Sequence, residues 1–234
     1  MNFFYITGTS RGIGKALAEK LLENEDNFVY GIARNNFLLH DRYEHLRLDL
    51  ANIEDVKKFR FFEHKRAAKI VLINNAATIG EIYPLGQCNN DDLINTYNLN
   101  IISPSMLMNN FIGYYSKYIS KKQILNISSG AARRPIASWS GYCASKAALD
   151  MFSQVFEKEL KSRNDFQIWS IAPGIVDTSM QTEIRASKPE NFLLHEQFVA
   201  YKKNNQLSNP HEVAEKLIKI LDNPEKYIET CTQI

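Results

Sequence analysis

Short apolar runs alternate with longer segments of helical period along most of the chain, and this alternation predicts its elements. The predicted strands span residues 3–6, 28–33, 46–50, 69–73, 123–127 and 168–172, with a terminal strand over 227–234. The predicted helices span residues 14–22, 53–62, 91–118, 142–160 and 210–221, and Pro104 marks a kink or a boundary in the third of them. Strands that alternate with helices in this way favour an α/β fold with a parallel sheet.

Residues 177–205 break the alternation, because they are polar and irregular with weak helical stretches. No repeat, low-complexity tract or linker divides the sequence. We therefore expect one domain over residues 1–234, with residues 177–205 as an excursion over its rim.

Composition excludes several classes of protein. The 234 residues are 44% hydrophobic and 23% charged, which is ordinary for a globular chain, and the net charge of +2 is too small to indicate a nucleic-acid partner. The sequence shows no basic leader and no apolar run of about 18 residues, so we expect a cytoplasmic protein with no membrane contact. Cys88, Cys143 and Cys231 are widely spaced and odd in number, which predicts no disulfide framework and no metal site.

The glycines between the first strand and the first helix form a candidate phosphate loop. Gly8, Gly12 and Gly14 follow the spacing G-x-x-x-G-x-G, which lets the backbone turn tightly before a helix whose N-terminus attracts a pyrophosphate. Three glycines are also compatible with a plain strand-to-helix turn. The strand–turn–helix setting favours a dinucleotide.

The end of the second strand indicates which dinucleotide is bound. The strand ends in Ala33-Arg34-Asn35, without the carboxylate that accepts a hydrogen bond from a ribose 2′-hydroxyl. Arg34, with Arg11 from the glycine loop, can pair with a 2′-phosphate, so we predict NADPH/NADP+ as the cofactor. In the alternative interpretation Arg34 stacks on adenine and Arg11 is a solvated charge.

A candidate catalytic group opens the helix predicted at residues 142–160. Tyr142 and Lys146 are four residues apart, which places them on one helical face, where the ammonium is expected to lower the pKa of the phenol. Ser129 follows a strand end and can polarise a carbonyl group. A Tyr/Lys pair alone is more often a solvated face, but its combination with Ser129 and the glycine loop favours proton transfer to a carbonyl oxygen.

From residue 4 to about residue 221 the sequence resembles the short-chain dehydrogenase/reductase superfamily. The motifs are the glycine loop, Asn74-Asn75-Ala76-Ala77, Ser129 and Tyr142-Cys143-Ala144-Ser145-Lys146. The resemblance implies a doubly wound, Rossmann-type parallel sheet and an NAD(P)-dependent interconversion of alcohols and carbonyls. Ala77 departs from the glycine usual in the family, and we expect its methyl group to be tolerated.

The resemblance also assigns roles to individual positions. It makes Tyr142 the acid–base, Ser129 the group that polarises the carbonyl, and Lys146 the residue that holds the nicotinamide ribose. The family's fourth catalytic residue, an asparagine that kinks a helix, is placed at Asn98, with Asn100 as the fallback. The cofactor positions are Gly8, Ser10, Arg11, Gly12, Ile13, Gly14, Arg34, Asp49, Leu50, Asn75, Ala76, Ala77, Tyr142, Lys146, Pro173, Gly174, Val176 and Thr178.

Within the superfamily, residues 139–144 and 173–181 are similar to sepiapterin reductases and to the bacterial benzil reductases related to them. This similarity implies reduction of a ketone of a dicarbonyl molecule, with Ser129, Trp139 and Tyr142 at the substrate, although Trp139 is equally compatible with a structural role. Sepiapterin reductases use a carboxylate in the last strand, whereas here Glu229 is the only acid near the chain end. We therefore prefer a benzil-reductase-like activity to a pterin reductase.

Two other functions and an assembly state remain open. One alternative is a non-catalytic NADPH-binding sensor, and another is an NAD-linked alcohol oxidase. A homodimer is expected through the helix that carries Ala147, Ala148, Met151, Phe152, Val155 and Phe156, which are otherwise core residues.

Overall fold

In the computed structural model, seven strands form one sheet in the order β3-β2-β1-β4-β5-β6-β7, and every neighbouring pair is parallel. The structure describes residues 1–36, 38–160, 163 and 165–234. The strands are β1 Asn2–Thr7, β2 Asn27–Ala33, β3 Tyr43–Arg47, β4 Lys69–Asn74, β5 Lys121–Ile127, β6 Phe166–Ala172 and β7 Cys231–Gln233. The strand order reverses direction between β1 and β4, which is where an open parallel sheet binds its ligand.

Helices lie between most successive strands, as expected for βαβ units. They are α1 Gly12–Leu22, α2 Ile53–Lys58, α3 Asn90–Tyr97, α4 Ser103–Tyr115, α5 Ser140–Leu160, α6 Ser179–Arg185, α7 His195–Lys203 and α8 Pro210–Asp222. A π-helical turn, Asn98–Ile102, joins α3 to α4, and Pro104 lies in the first turn of α4, where a missing N–H costs nothing. The predicted α/β fold with a doubly wound parallel sheet in one domain is confirmed.

Alternate residues of β1, β2, β4, β5 and β6 enter two separate apolar cores. On β1, Phe4 and Ile6 face a core that α1 and α8 cover, whereas Tyr5 faces a second core under α4 and α5. This is the period-2 pattern of a strand buried on both faces. The two cores fix the sheet, so that the loops at its carboxyl edge are held in place.

Three predicted boundaries are wrong for identifiable reasons. Strand β3 begins at Tyr43 and ends at Arg47 rather than spanning 46–50, because it is a half-exposed edge strand whose register is set by pairing with β2. Helix α2 ends at Lys58 rather than at residue 62, because Phe59 turns extended and Phe61 packs into the second core. The terminal strand covers three residues instead of 227–234.

Candidate active site

The glycine loop is shaped as a cradle between β1 and α1. Gly12 has φ +59°, a left-handed conformation that favours glycine, and a Cβ atom on Gly14 would stand 2.3 Å from the carbonyl oxygen of Gly8. Asn75, which follows β4, donates hydrogen bonds from Nδ2 to the carbonyl oxygens of Thr7 (2.9 Å) and Gly8 (3.3 Å). These contacts fix the conformation of the loop where its backbone enters the N-terminus of α1. This arrangement fits a pyrophosphate.

A cleft of about 1260 Å³ runs from this loop along the carboxyl edge of the sheet. The predicted cofactor residues that line it are Gly8, Ser10, Arg11, Gly12, Ile13, Arg34, Asp49, Leu50, Asn75, Ala76, Ala77, Tyr142, Lys146, Pro173, Gly174, Val176 and Thr178. Gly14 instead packs under the loop against Gly8. The donors of the loop and the length of the cleft fit a dinucleotide.

The two arginines predicted for the 2′-phosphate differ in their surroundings. Arg34 is exposed directly after β2. Arg11 lies at the N-terminus of α1, and its guanidinium is 3.4 Å from a carboxylate oxygen of Glu183 on α6. Arg34 is therefore the better placed of the two for a phosphate, because the charge of Arg11 is partly compensated by Glu183.

Ser129, Tyr142 and Lys146 meet in the middle of the cleft. Ser129 follows β5, and its Oγ accepts a hydrogen bond from the backbone N–H of Ala131 at 3.1 Å, which caps a short 3₁₀ turn. Tyr142 and Lys146 lie in the first two turns of α5, and both are buried. The Nζ atom of Lys146 donates to the carbonyl oxygen of Ile127 at 2.7 Å, so that the helix and the end of β5 are joined beside Ser129.

Burial controls the protonation of this group. It raises the pKa of Tyr142 to about 12, with a smaller opposite effect from the Ser129 hydroxyl. The expected lowering of the Tyr142 pKa by Lys146 is therefore wrong for the protein alone, because desolvation dominates. Burial lowers the pKa of Lys146 to about 8, with an opposite effect from Asp150. Tyr142 is thus a neutral phenol that can donate a proton.

The two candidate asparagines have different environments. The Nδ2 atom of Asn98 is 3.4 Å from the carbonyl oxygen of Ala51, at one end of the π-helical turn. Asn100 is buried, accepts from the N–H of Thr78 at 2.9 Å, and donates to the Thr78 carbonyl at 2.8 Å and to Ser145 Oγ at 3.1 Å. Asn100 therefore joins the loop after β4 to the helix of Tyr142 and Lys146.

A third apolar cluster forms the other end of the cleft. Trp139 packs parallel to Phe192, with centroids 5.4 Å apart, and edge-to-face on Tyr142 at 5.7 Å. Ser138, with φ +69°, holds this turn by donating to the carbonyl oxygen of Asn191 at 2.5 Å. The cluster includes Ile79, Ile82, Ala131, Trp139, Tyr142, Ile184, Phe192 and Phe198.

Residues 177–205 contribute to this end of the cleft and are more ordered than an irregular excursion. They contain α6 and α7, which supply Ile184 and Phe198 to the lining. At the chain end, Gln233 of β7 lines the cleft. Glu229, the acid nearest the C-terminus, is exposed and precedes β7.

Sequence reasoning missed three residues of the site. Thr78 and Ser145 hold Asn100, and Arg134 lines the cleft close to Ser129. Ser145 precedes Lys146, and Arg134 lies five positions after Ser129, so nearness in sequence to the predicted catalytic residues was the available signal. Within the described residues no group of three or more His, Cys, Asp or Glu side chains is placed to bind a metal ion. Of the helices described, none has the length and apolar character needed to cross a membrane.

Comparison with known proteins agrees with this geometry. A family model described as short chain dehydrogenase matches residues 2–189. A benzil reductase ((S)-benzoin forming) from Bacillus subtilis is 33% identical over 229 residues, covering 95% of this chain and 94% of that protein. A sepiapterin reductase from Rattus norvegicus is 31% identical, covering 92% of this chain and 89% of that protein.

A solved structure resembles the whole chain. It is a short chain dehydrogenase/reductase from Saccharomyces cerevisiae, with a TM-score of 0.85 and 25% identity, and the match covers 100% of this chain and 96% of that one. The likeness therefore extends over the sheet, the cleft and the helices at its rim.

Proposed function

We propose that this chain, which belongs to the short-chain dehydrogenase family, is an NADPH-dependent reductase of small dicarbonyl molecules. As a member of that family it is an oxidoreductase that acts on CH–OH and C=O groups with a nicotinamide cofactor. The observation that carries the proposal is that Ser129, Tyr142 and Lys146 line the same cleft as the glycine loop. A neutral acid, a hydroxyl and a buried cation thus surround one carbonyl position.

The chemistry of the site follows from these three side chains. When bound, the nicotinamide supplies a hydride to the carbonyl carbon. Tyr142 gives its phenolic proton to the carbonyl oxygen, which receives the π electron pair of the C=O bond, while Ser129 Oγ donates a hydrogen bond to that oxygen. Lys146 would hold the nicotinamide ribose. The balance is ketone plus NADPH plus H⁺ giving alcohol plus NADP⁺.

We assign the positioning role in this reaction to Asn100 rather than to Asn98. Asn100 is bonded on one side to the backbone of Thr78, beside the cofactor residues Ala76 and Ala77, and on the other to Ser145. A side chain with these contacts orients the catalytic helix relative to the cofactor loop. Asn98 has no such contact with α5 among its described hydrogen bonds.

The preference for NADPH rests on charge at the adenosine end. Arg34 is exposed and lines the cleft after β2, and the following residue is Asn35 rather than an acid. A guanidinium pairs more strongly with a phosphate than with a free 2′-hydroxyl, because the contact with the phosphate is charge-assisted. Support for the dicarbonyl class comes from the benzil reductases among the relatives and from the aromatic wall formed by Trp139 and Phe198.

The test is NADPH consumption with benzil, 1-phenyl-1,2-propanedione and sepiapterin. We expect turnover of the two diketones and little of the pterin, because Gln233 lines the cleft where a pterin anchor would require an acid. Faster turnover of sepiapterin would favour the pterin alternative. A protein that binds NADPH but reduces none of these would contradict both the dicarbonyl and the pterin assignments.

We also propose a cytoplasmic homodimer. On α5, Ala147, Ala148, Met151 and Val155 are exposed, which is unusual for an apolar face. Phe152 and Phe156 pack instead on the second core. The exposed residues support pairing of α5 with a second copy, and the free thiols of the three cysteines fit a reducing compartment.

A further inference from the structure

Arg134 lies at the substrate end of the cleft, beside the serine of the catalytic group. A Cβ atom on Gly130 would stand 2.8 Å from its Nη2 atom, so the guanidinium occupies the space that the missing side chain of Gly130 leaves. Gly130, Ser129 and Arg134 line the same cleft as Tyr142. A positive charge is therefore held one residue from the hydroxyl that is to polarise the carbonyl.

The preceding arginine does not share this position. The Nε atom of Arg133 is 3.5 Å from a carboxylate oxygen of Asp150, which is buried and also accepts from Ser170 Oγ at 2.6 Å. Arg133 thus compensates a buried charge of α5, whereas Arg134 is directed toward the cleft. The two neighbours therefore have different contacts: Arg133 is exposed and pairs with Asp150, whereas Arg134 lines the cleft.

The rest of the substrate end is mainly apolar, and Trp139 Nε1 and Gln181 Oε1, which have no hydrogen-bond partner among the described residues, are uncharged. Trp139, Ile184 and Phe198 form its wall. Glu183 lines this end too, but its carboxylate is engaged by Arg11 at 3.4 Å. A substrate in this space therefore meets an apolar surface and the guanidinium of Arg134, whose planar fork suits a carboxylate in a bidentate arrangement.

We propose that Arg134 binds a carboxylate bonded directly to the reacting carbonyl carbon, so that the substrates of this site include 2-oxo acids with an apolar side chain. This inference rests on the proposed reductase function. The reaction is 2-oxo acid plus NADPH plus H⁺ giving 2-hydroxy acid plus NADP⁺, with the proton from Tyr142 going to the former carbonyl oxygen. The carboxylate takes no part in the electron transfer and serves to orient the ketone.

The test compares benzoylformate with its methyl ester, which present the same aryl ketone with and without the charge. In the wild type we expect a higher kcat/KM for the acid. Arg134→Gln should lower kcat/KM for the acid about tenfold, the effect of one charge-assisted contact made by an exposed side chain, and change that for the ester less than twofold. Arg134→Lys should recover part of the loss, since it keeps the charge but not the fork.

Gly130→Ala provides a second variant that keeps the arginine. Gly130 has no left-handed φ, and its added methyl would displace the end of the flexible Arg134 side chain. It should therefore lower the acid-to-ester ratio as Arg134→Gln does. Arg133→Gln is the matched control, because it removes a neighbouring charge outside the cleft and should leave that ratio unchanged.

An unchanged acid-to-ester ratio in Arg134→Gln, with diketone reduction intact, overturns the inference and leaves the proposed function standing. If the wild type reduces none of the substrates, the proposed function fails. Binding of benzoylformate in the presence of NADP⁺, measured by tryptophan fluorescence, then decides the inference separately: weaker binding by Arg134→Gln supports it and equal binding overturns it.

Discussion

The Nδ2 atom of Asn100 lies 3.1 Å from the Oγ atom of Ser145, so the π-helical turn before α4 is joined to the helix that carries Tyr142 and Lys146. Ser145 in turn donates to the carbonyl oxygen of Tyr142 at 2.8 Å. A chain of hydrogen bonds therefore runs from the loop after β4, through Asn100, to the backbone of the acid.

We expect Asn100→Ala to lower kcat by about tenfold or more, because it leaves buried partners at Thr78 and Ser145 without hydrogen bonds. Asn98→Ala should change kcat by less than about threefold. Both variants are measured with NADPH and a diketone, with the thermal midpoint as the check on folding. Full turnover in Asn100→Ala together with loss in Asn98→Ala would return the role to Asn98.

Tyr142→Phe should lower kcat by about 10²–10⁴-fold, since it removes the proton donor and keeps the ring that packs on Trp139. The dissociation constant for NADPH should change little, which separates chemistry from binding. Fluorescence titration of NADPH and steady-state rates give the two quantities. Turnover that survives the substitution would mean that another group donates the proton.

Arg34→Ala should raise KM for NADPH about tenfold and leave KM for NADH nearly unchanged, because it removes a charge-assisted contact with the 2′-phosphate. Arg11→Ala should have the smaller effect, since Arg11 is engaged with Glu183. Initial rates at low, equal concentrations of the two cofactors provide the measurement. Equal rates in the wild type would contradict the NADPH proposal.

His64 should make stability depend on pH. It is buried against Phe3 and bonded to the hydroxyl of Tyr5 at 2.9 Å, and burial lowers its pKa to about 4. At pH values between the pKa of His64 in the unfolded chain, near 6.5, and its pKa in the folded protein, the unfolded chain binds more protons. The free energy of unfolding is therefore highest above pH 6.5 and decreases as the pH falls toward 4. The loss is of the order of 2–3 kcal/mol.

Urea unfolding at pH 7.5 and pH 4.5 measures this effect. His64→Gln is the control, because it retains a group that can bond to Tyr5 and does not titrate. We expect a smaller decrease in stability between the two pH values in this variant. The same decrease in both proteins would assign the pH dependence to other groups.

Met151→Asp or Val155→Asp should convert the proposed dimer to a monomer, because each places a charge on the exposed apolar face of α5. Lys158→Glu changes an exposed charge near the end of the same helix and serves as the control. Sedimentation velocity gives the mass. A wild-type monomer would contradict the dimer outright.

The sequence predicts those helices and strands well whose apolar positions recur regularly and are buried against the rest of the fold. The apolar run of β4 is buried because both faces of the strand are covered, and the repeated apolar positions of α1 are buried because one whole stripe of the helix is covered. The pattern of the sequence predicts both elements for this reason. Helices α6 and α7 were missed as defined elements because each contributes few buried residues, Gln181 and Ile184 in one and Phe198 in the other. Their positions depend on packing with members of the third apolar cluster that are distant in sequence, such as Trp139 against Phe198.

The residues of the candidate site likewise divide into those that the sequence predicts and those that only the structure reveals. Gly12, Tyr142 and Lys146 could be found because their chemistry requires a residue type at a fixed spacing. Arg134 could not, since its place depends on the empty space at Gly130 and on the pairing of Arg133 with Asp150. The sequence alone also does not show which of Asn98 and Asn100 contacts α5. In the structure Asn100 faces α5, whereas Asn98 faces Ala51.

The third apolar cluster shares no residue with the two cores that hold the sheet. Replacement of Phe198, which lines the cleft, therefore alters the shape of the substrate wall and leaves the packing between sheet and helices intact. Substitutions at positions of this cluster other than Tyr142 can therefore change which substrates fit, while the glycine loop, Ser129 and Lys146 stay as they are.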